Sequence, residues 1–217
     1  MKAGLPLVEG SQGSQNIEVS IILLCAGRST RMGDNHRHKL LSEFNGVSLV
    51  RRSASVARAS QASTVFAVTG HRRLEIEAEL EGVDVTVVFN PYFGSGIASS
   101  IIAGWQAAHA GGADGFLIML ADMPFISGLD LDRLIAVFKD AGGRAIVQGA
   151  GQGRPGNPVI LPRSLHQGIL ELQGDRGARG IIGHSKLARI QVDIGQGAHI
   201  DVDTPEAIVA AGGMLNA

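Results

Sequence analysis

The strongest constraint on this chain is the run Ile21-Ile22-Leu23-Leu24, which continues through Cys25 and Ala26 and stops at Gly27. An unbroken apolar run of strand length that ends at a turn residue reads as a strand buried on both faces, the habit of parallel sheets flanked by helices. Open parallel sheets bind ligands beyond the carboxyl ends of their strands, where loops gather backbone N–H groups. The loop here carries Arg28, Arg31 and, further on, Lys39, so fixed positive charge surrounds the opening. Gly27 lets the backbone approach a ligand closely. Phosphate suits such a loop. The plainer alternative is a solvated basic turn, since charge runs commonly face water.

Neither standard phosphate loop is present. A P-loop needs a second glycine followed by Lys-Ser/Thr, whereas the next glycine after Gly27 is Gly33, followed by Asp34. A dinucleotide fingerprint needs G-x-G after the strand, and Gly27-Arg28-Ser29 lacks its second glycine.

Beyond this loop, strand-like and helix-like stretches alternate. Apolar runs at 64–69, 83–89, 115–120, 145–148 and 157–161 predict strands. Residues 49–59, 72–81, 97–110 and 129–138 predict helices, with shorter ones around 164–172 and 178–184. Glycines break the pattern over 149–156, residues 190–194 and 199–202 read as a closing hairpin, and Thr204-Pro205-Glu206 opens a last helix with proline in its first turn. Such alternation predicts an α/β three-layer sandwich around a mostly parallel sheet. A length of 217 residues suits one such domain, or at most two small ones. Residues 1–18, which include Gly10-Ser11-Gln12-Gly13-Ser14-Gln15, read as a mobile leader ahead of a domain over 19–217.

Several function classes drop out on composition. A formal net charge of −1 provides no global basic field for nucleic acid, so any anion site is local. The single Cys25 permits no internal disulfide, and no Cys/His cluster has zinc spacing. The seven histidines are scattered without a triad partner, and none is assigned to catalysis. With no long apolar span and no signal-peptide pattern, a cytoplasmic protein with no membrane partner is expected.

Three acidic or basic constellations remain. Asp122 directly follows an apolar strand, at the same sheet edge as the Gly27 loop; a carboxylate there without an adjacent cation suits Mg²⁺, or it caps a turn before Pro124. Asp201 and Asp203 share a face if their segment is extended, or else Asp203 or Thr204 is merely the N-cap of the last helix. Gly174-Asp175-Arg176-Gly177-Ala178-Arg179 sets two guanidiniums on a glycine turn beside a helix start, which is an anion site or a surface arginine pair. Cys25 reads as a small core residue.

Residues Leu23 to Gly33, followed by Lys39-Leu40-Leu41, resemble the L-x-A-G-x-S-x-R-M-G…K-L-L signature of the MobA-like nucleotidyltransferases, and within that group the molybdenum cofactor cytidylyltransferases. Leu120-Ala121-Asp122-Met123-Pro124 resembles the family's L-x-D-M-P, residues 174–179 its G-D-x-G-A-R, and residues 201–205 its D-I-D-T-P. Residues 153–159 resemble its R-G-(H/N)-P-V with Pro155 inserted, and residues 90–100 its N-P…G-(M/L)-x-x-S. The motifs occur in the family's order. One departure is the spacer Asp34-Asn35-His36-Arg37-His38, longer than the family's.

The resemblance implies a single Rossmann-like nucleotidyltransferase domain that moves a nucleoside monophosphate from an NTP to a phosphate-bearing acceptor and releases pyrophosphate. It implies CTP, Mg²⁺ and the terminal phosphate of the molybdenum cofactor, molybdopterin; CTP is favoured because guanine-specific members carry Gly-Gly where this chain has Ala26-Gly27. It places Arg31 and Lys39 on the triphosphate, and Leu24, Cys25, Ala26, Gly27, Arg28, Asn90, Gly96 and Ser100 around the nucleotide. Asn157, Asp175, Arg176 and Arg179 fall to the acceptor, and Asp122 to the metal with Asp201 or Asp203 in support. A phosphate monoester is largely ionised at neutral pH, so no general base is needed and catalysis rests on positioning and charge neutralisation. Guanylyltransfer, sugar-phosphate nucleotidyltransfer and a non-catalytic cofactor carrier serving a molybdoenzyme client stand as alternatives.

Overall fold

The computed structural model describes residues 16–33 and 38–215. The proposed leader up to residue 15 and the spacer residues 34–37 lie outside the described residues. The folded unit takes in the last residues assigned to that leader. Ile17 packs against the core, and the Glu18 carbonyl accepts from the N–H groups of Asp114 and Gly115.

The opening run forms strand β1 (Val19–Leu24), buried at every position. A short hairpin, β2 (Glu43–Phe44) and β3 (Val47–Ser48), leads into helix α1 (Leu49–Arg58). Then follow β4 (Thr64–Thr69), α2 (Arg73–Leu80), β5 (Thr86–Phe89), α3 (Ile97–Ala110), β6 (Gly115–Leu120) and α4 (Gly128–Asp140). The last third contains β7 (Ile146–Gly151), β8 (Arg154–Pro162), α5 (His166–Leu170), α6 (Arg179–His184), β9 (Arg189–Asp193) and α7 (Pro205–Ala210).

Seven strands make one sheet in the order β5-β4-β1-β6-β8-β7-β9, with only β8 antiparallel to its neighbours. Side chains alternate across it. Ile21 and Leu23 join Leu49, Ile76, Leu131 and Phe138 on the face covered by α1, α2 and α4. Ile22 and Leu24 join Ile101, Trp105 and Ile169 on the face covered by α3 and α5. Burial on both sides explains why β1 is apolar without alternation. Helix α3 lies close enough that a side chain at Gly104 would collide with Ile22 and Val68.

Two sequence expectations change in the last third. Residues 149–156 do not interrupt the sheet; they carry β7 through a two-residue turn into β8. The turn residues Gln152 and Gly153 have φ of 53° and 72°, the handedness that a tight hairpin needs. Gly151 and Gly156 sit in strands crossed by the segment Gly195–His199, whose backbone a Cβ at either position would strike, while a Cβ on Gly149 would meet Asn157 O and Ile194. Pro155 pairs with Ala150 beside a register shift, where a missing N–H is tolerated. The closing hairpin is also absent: β9 pairs parallel with β7, and residues 201–203 belong to no strand.

Candidate active site

A cleft of about 1250 Å³ opens at the carboxyl edge of β1 and β6. Its first wall is the loop after β1. Thr30–Met32 forms a single 3-10 turn, entered through Ser29 at φ 53° and left through Gly33 at φ 80°. Met32 is buried and anchors the turn, which leaves its neighbour Arg31 on the open side. A second turn, Lys39–Leu41, is anchored by buried Leu40 and sends Lys39 inward.

Asp122 stands just past β6, and its carbonyl accepts from Val202 N–H at 3.0 Å. That bond ties the segment 201–203 to the sheet edge. Val202 is in the core, so Asp201 and Asp203 turn outward on either side of it. Carboxylate oxygens of Asp122, Asp201 and Asp203 come within 4.8 Å of one another. The alternation expected of a strand is present here without the strand. Thr204, not Asp203, caps α7, its hydroxyl accepting from Ala207 N–H at 3.2 Å.

The expectation that Asp122 has no cation beside it is corrected by tertiary structure. The Lys39 ammonium donates to Asp122 Oδ2 and, at 2.5 Å, to Asp203 Oδ1, while Arg31 donates to Asp203 Oδ2. Burial disfavours the Lys39 charge, but the two carboxylates outweigh it and hold its pKa above the ordinary lysine value. Burial likewise opposes the Asp203 anion and is outweighed by Lys39 and Arg31, so its pKa is lowered. For Asp122, burial wins over Lys39 and raises the pKa, helped by Asp201 and Asp203. Its second oxygen, Oδ1, is buried with no hydrogen-bond partner.

The second wall is the loop after β5. Arg28 lies over the Phe93 ring at 5.6 Å and against Gly94, joining the two glycine loops. Gly96 has φ 106°, and a Cβ there would stand 2.5 Å from the Gly174 carbonyl carbon, so only glycine fits. Residues 174–175 press against it for a reason: Gly174 O accepts from Ala98 N–H at 3.1 Å and Asp175 Oδ1 from Ile97 N–H at 3.3 Å. The late loop therefore caps α3. Arg176 and Arg179 are exposed on the cleft side and make no ion pair among the described residues.

Nearly all the residues picked from sequence line this one cleft, including Leu24, Ala26, Gly27, Ser100 and Asn157. Two do not. Cys25 is fully buried, with its thiol directed to Leu23 O and its pKa driven far up by burial. Asn90 is buried beneath the second loop, its amide donating to Ser99 Oγ at 2.9 Å and Ser100 Oγ at 3.0 Å. Asn90 shapes the loop from behind.

A family model described as the MobA-like NTP transferase domain matches residues 21–190. The chain belongs to that family. It is 29% identical over 198 residues to the purine catabolism protein PucB of Bacillus subtilis, covering 85% of this chain and 91% of PucB. It is 26% identical to the nicotine blue oxidoreductase of Paenarthrobacter nicotinovorans, covering 74% of this chain and 79% of that protein. Among solved structures, Rv0371c from Mycobacterium tuberculosis superposes with a TM-score of 0.75 at 23% identity, over 91% of this chain and 98% of that one. Rv0371c has also been solved in complex with manganese. These structures share the fold; the chain is a member of a transferase family, and no described helix is long and apolar enough to cross a membrane.

Within this MobA-like cleft, two residues escaped the sequence reading. His38 donates to, or accepts from, its surroundings at both ring nitrogens and is almost wholly buried. Gln148 lines the cleft from β7 and donates to Gly156 O at 2.8 Å, holding the hairpin in place beside Asn157. An isolated glutamine in a strand carries no signal in sequence; His38 carried one only through its place next to Lys39.

Proposed function

We propose that this chain is a cytidylyltransferase that transfers CMP from CTP to the terminal phosphate of the molybdenum cofactor and releases pyrophosphate. The observation that carries the reading is the meeting, in one cleft, of a glycine loop bearing Arg28, Arg31 and Lys39 with three converging carboxylates. The motif resemblance supplies the acceptor; the Ala26-Gly27 pair supports CTP.

A divalent cation fits the acidic group. Asp122 Oδ1 is an orphaned buried acceptor, and Asp201 and Asp203 bring oxygens close to it. Carboxylates of this kind, together with phosphate oxygens, suit Mg²⁺, which would neutralise charge developing on the triphosphate. The chain's own cations act beside it. Arg31 and Lys39 exchange their carboxylate partners for phosphate oxygens, and the loop N–H groups orient the triphosphate. Arg176 and Arg179 face the same cleft from the late loop and would hold the acceptor phosphate in line. Since that phosphate is already largely ionised at neutral pH, these residues need only position two anions against each other.

Base choice depends on the packing around Ala26. A Cβ built on Gly70 would stand 2.8 Å from the Ala26 methyl and 2.7 Å from Phe93 Cβ, so Ala26, Gly70 and Phe93 are tightly packed. A glycine at 26 would remove that methyl from the cluster and change the wall of the cleft beside Phe93. We expect CTP to exceed GTP in kcat/KM by at least about tenfold, or roughly 1.4 kcal/mol of transition-state binding. A nucleotide panel with Mg²⁺ and molybdenum cofactor, scored by product mass, checks this. A GTP preference moves the chain to guanylyltransfer, and a product without added nucleoside monophosphate removes nucleotidyltransfer altogether.

The division of labour between loops has its own check. Arg31→Ala should weaken Mg–CTP binding in the absence of acceptor, whereas Arg179→Ala should leave it near normal and raise the acceptor KM or lower the rate. A charge-assisted contact is worth about 1.5–3 kcal/mol, at least tenfold, which calorimetry resolves. Equal nucleotide losses in both variants would assign the late loop to the nucleotide, an outcome its contact with Gly96 makes a real competitor.

A further inference from the structure

We infer that His38 is a positioning residue that sets the phosphate-binding conformation of the first loop; this rests on the phosphate-loop reading above. The ring is buried between the two turns of that loop. Leu40 N–H donates to Nδ1 at 3.3 Å, so Nδ1 carries a lone pair. The proton of the neutral ring is then on Nε2, which donates to the Gly27 carbonyl at 3.0 Å. Burial is the main cause that pushes the His38 pKa down to about 4, with His71, Arg72 and Lys39 adding to it, which keeps this single tautomer at neutral pH. The opposite face of the ring stacks on His71, centroids 5.6 Å apart and planes 20° from parallel. His71 is tied to the same loop, its own N–H donating to Ala26 O at 3.3 Å.

The consequence follows from peptide geometry. In a trans peptide the carbonyl and the next N–H point in opposite directions. Holding the Gly27 carbonyl against His38 therefore sends the Arg28 N–H away from the buried ring. Gly27 and Arg28 both line the cleft, and among the described residues the Arg28 N–H donates to no acceptor. It is a donor reserved for an incoming phosphate oxygen. Through Nδ1 the same ring fixes the start of the turn that aims Lys39. One imidazole thus couples a backbone donor to a side-chain cation, and neither link requires His38 to touch substrate.

Inorganic tripolyphosphate and cytidine, titrated separately into the full chain, test this without turnover. His38→Phe keeps the bulk and the stacking but loses both hydrogen bonds; it should bind tripolyphosphate at least about tenfold more weakly, the cost of a lost buried hydrogen bond and a misdirected donor, with cytidine affinity unchanged. His38→Gln restores an N–H at the reach of Nε2 and should recover most of that loss. Ring ¹⁵N spectra of the unaltered chain should show a neutral Nε2–H imidazole throughout the neutral range. Equal tripolyphosphate affinity in the unaltered chain and His38→Phe, or an Nδ1–H tautomer, overturns the assignment while leaving nucleotidyltransfer standing. Failure of the unaltered chain to bind either tripolyphosphate or any NTP overturns both. Should His38→Phe not fold, the glutamine variant and the tautomer still decide: a glutamine variant that folds but binds tripolyphosphate as weakly as an Arg31→Ala control overturns the role.

Discussion

Asp122→Asn is expected to abolish turnover while leaving the fold intact. The carboxylate lies at the sheet edge, one oxygen on Lys39 and the other buried without a partner. An amide keeps the shape and an acceptor for Lys39, but removes the charge on which a divalent cation depends. The expected loss in kcat is about 10²–10³-fold or more, the range for removing one electrostatic element from a preorganised site. Stability should move the other way. Burial raises the Asp122 pKa above its value of 3.8 in the unfolded chain, so ionising it opposes folding as pH climbs past that value. A neutral asparagine escapes this penalty, so melting at pH 7 should be unchanged or slightly raised. Steady-state rates with Mg²⁺ or Mn²⁺ and a thermal melt in the same buffer check both halves. Retention of near-normal rates would remove Asp122 from the metal assignment.

The sequence was most informative where chemistry and chain order coincide. The β1 run, the cations after it and Asp122 after β6 each follow a strand directly, so local pattern alone places them at one edge. Helices whose apolar positions repeat, such as α1 and α4, were legible for the same reason. Glycine misled over 149–156. In a loop it marks a turn, but in β7 and β8 it marks strand positions crossed by the segment Gly195–His199, and nothing local distinguishes the two. Long-range pairing was hidden as well. Lys39 and Asp122 are 83 residues apart, and Arg31 and Asp203 172. Asn90 shows a further gap: a motif position expected near the nucleotide is buried under the second loop and bonds to Ser99 and Ser100, a placement no local pattern announces.

The ion network in the cleft is best understood as a set of exchangeable partners. Arg31 and Lys39 each rest on a carboxylate of the acidic group, so under the proposed function Mg–NTP would enter by swapping one pairing for another. Such an arrangement limits the cost of keeping three carboxylates together in a partly buried place.

Lys39→Met should reveal that cost directly, and it is the second large effect we expect. The methionine fills the same path but leaves Asp122 and Asp203 facing each other without their shared ammonium. Removing one member of a buried ion pair costs about 3–5 kcal/mol, and the partial exposure of Asp203 argues for the lower end. For a chain of this size that is a fall in Tm of roughly 6–12 °C. The sign of the pH dependence follows from both partners. The Asp203 pKa is lowered, so its stabilisation is present above the unfolded value of 3.8 and fades as pH falls through the folded one. The Lys39 pKa is raised, so its share is complete below 10.5 and fades as pH rises through its folded value. The deficit of the variant should therefore fill the neutral range and shrink in acid, where protonated carboxyls need no cation. Millimolar Mg²⁺ should restore part of the lost Tm by taking the ammonium's place among the carboxylates, although turnover stays low without the phosphate contact. Combining Lys39→Met with Asp122→Asn should recover stability beyond either prediction added singly, since the stranded charge is gone. Additive melting shifts in that cycle, or no response to Mg²⁺, would show that the ammonium and the carboxylates do not form one electrostatic unit.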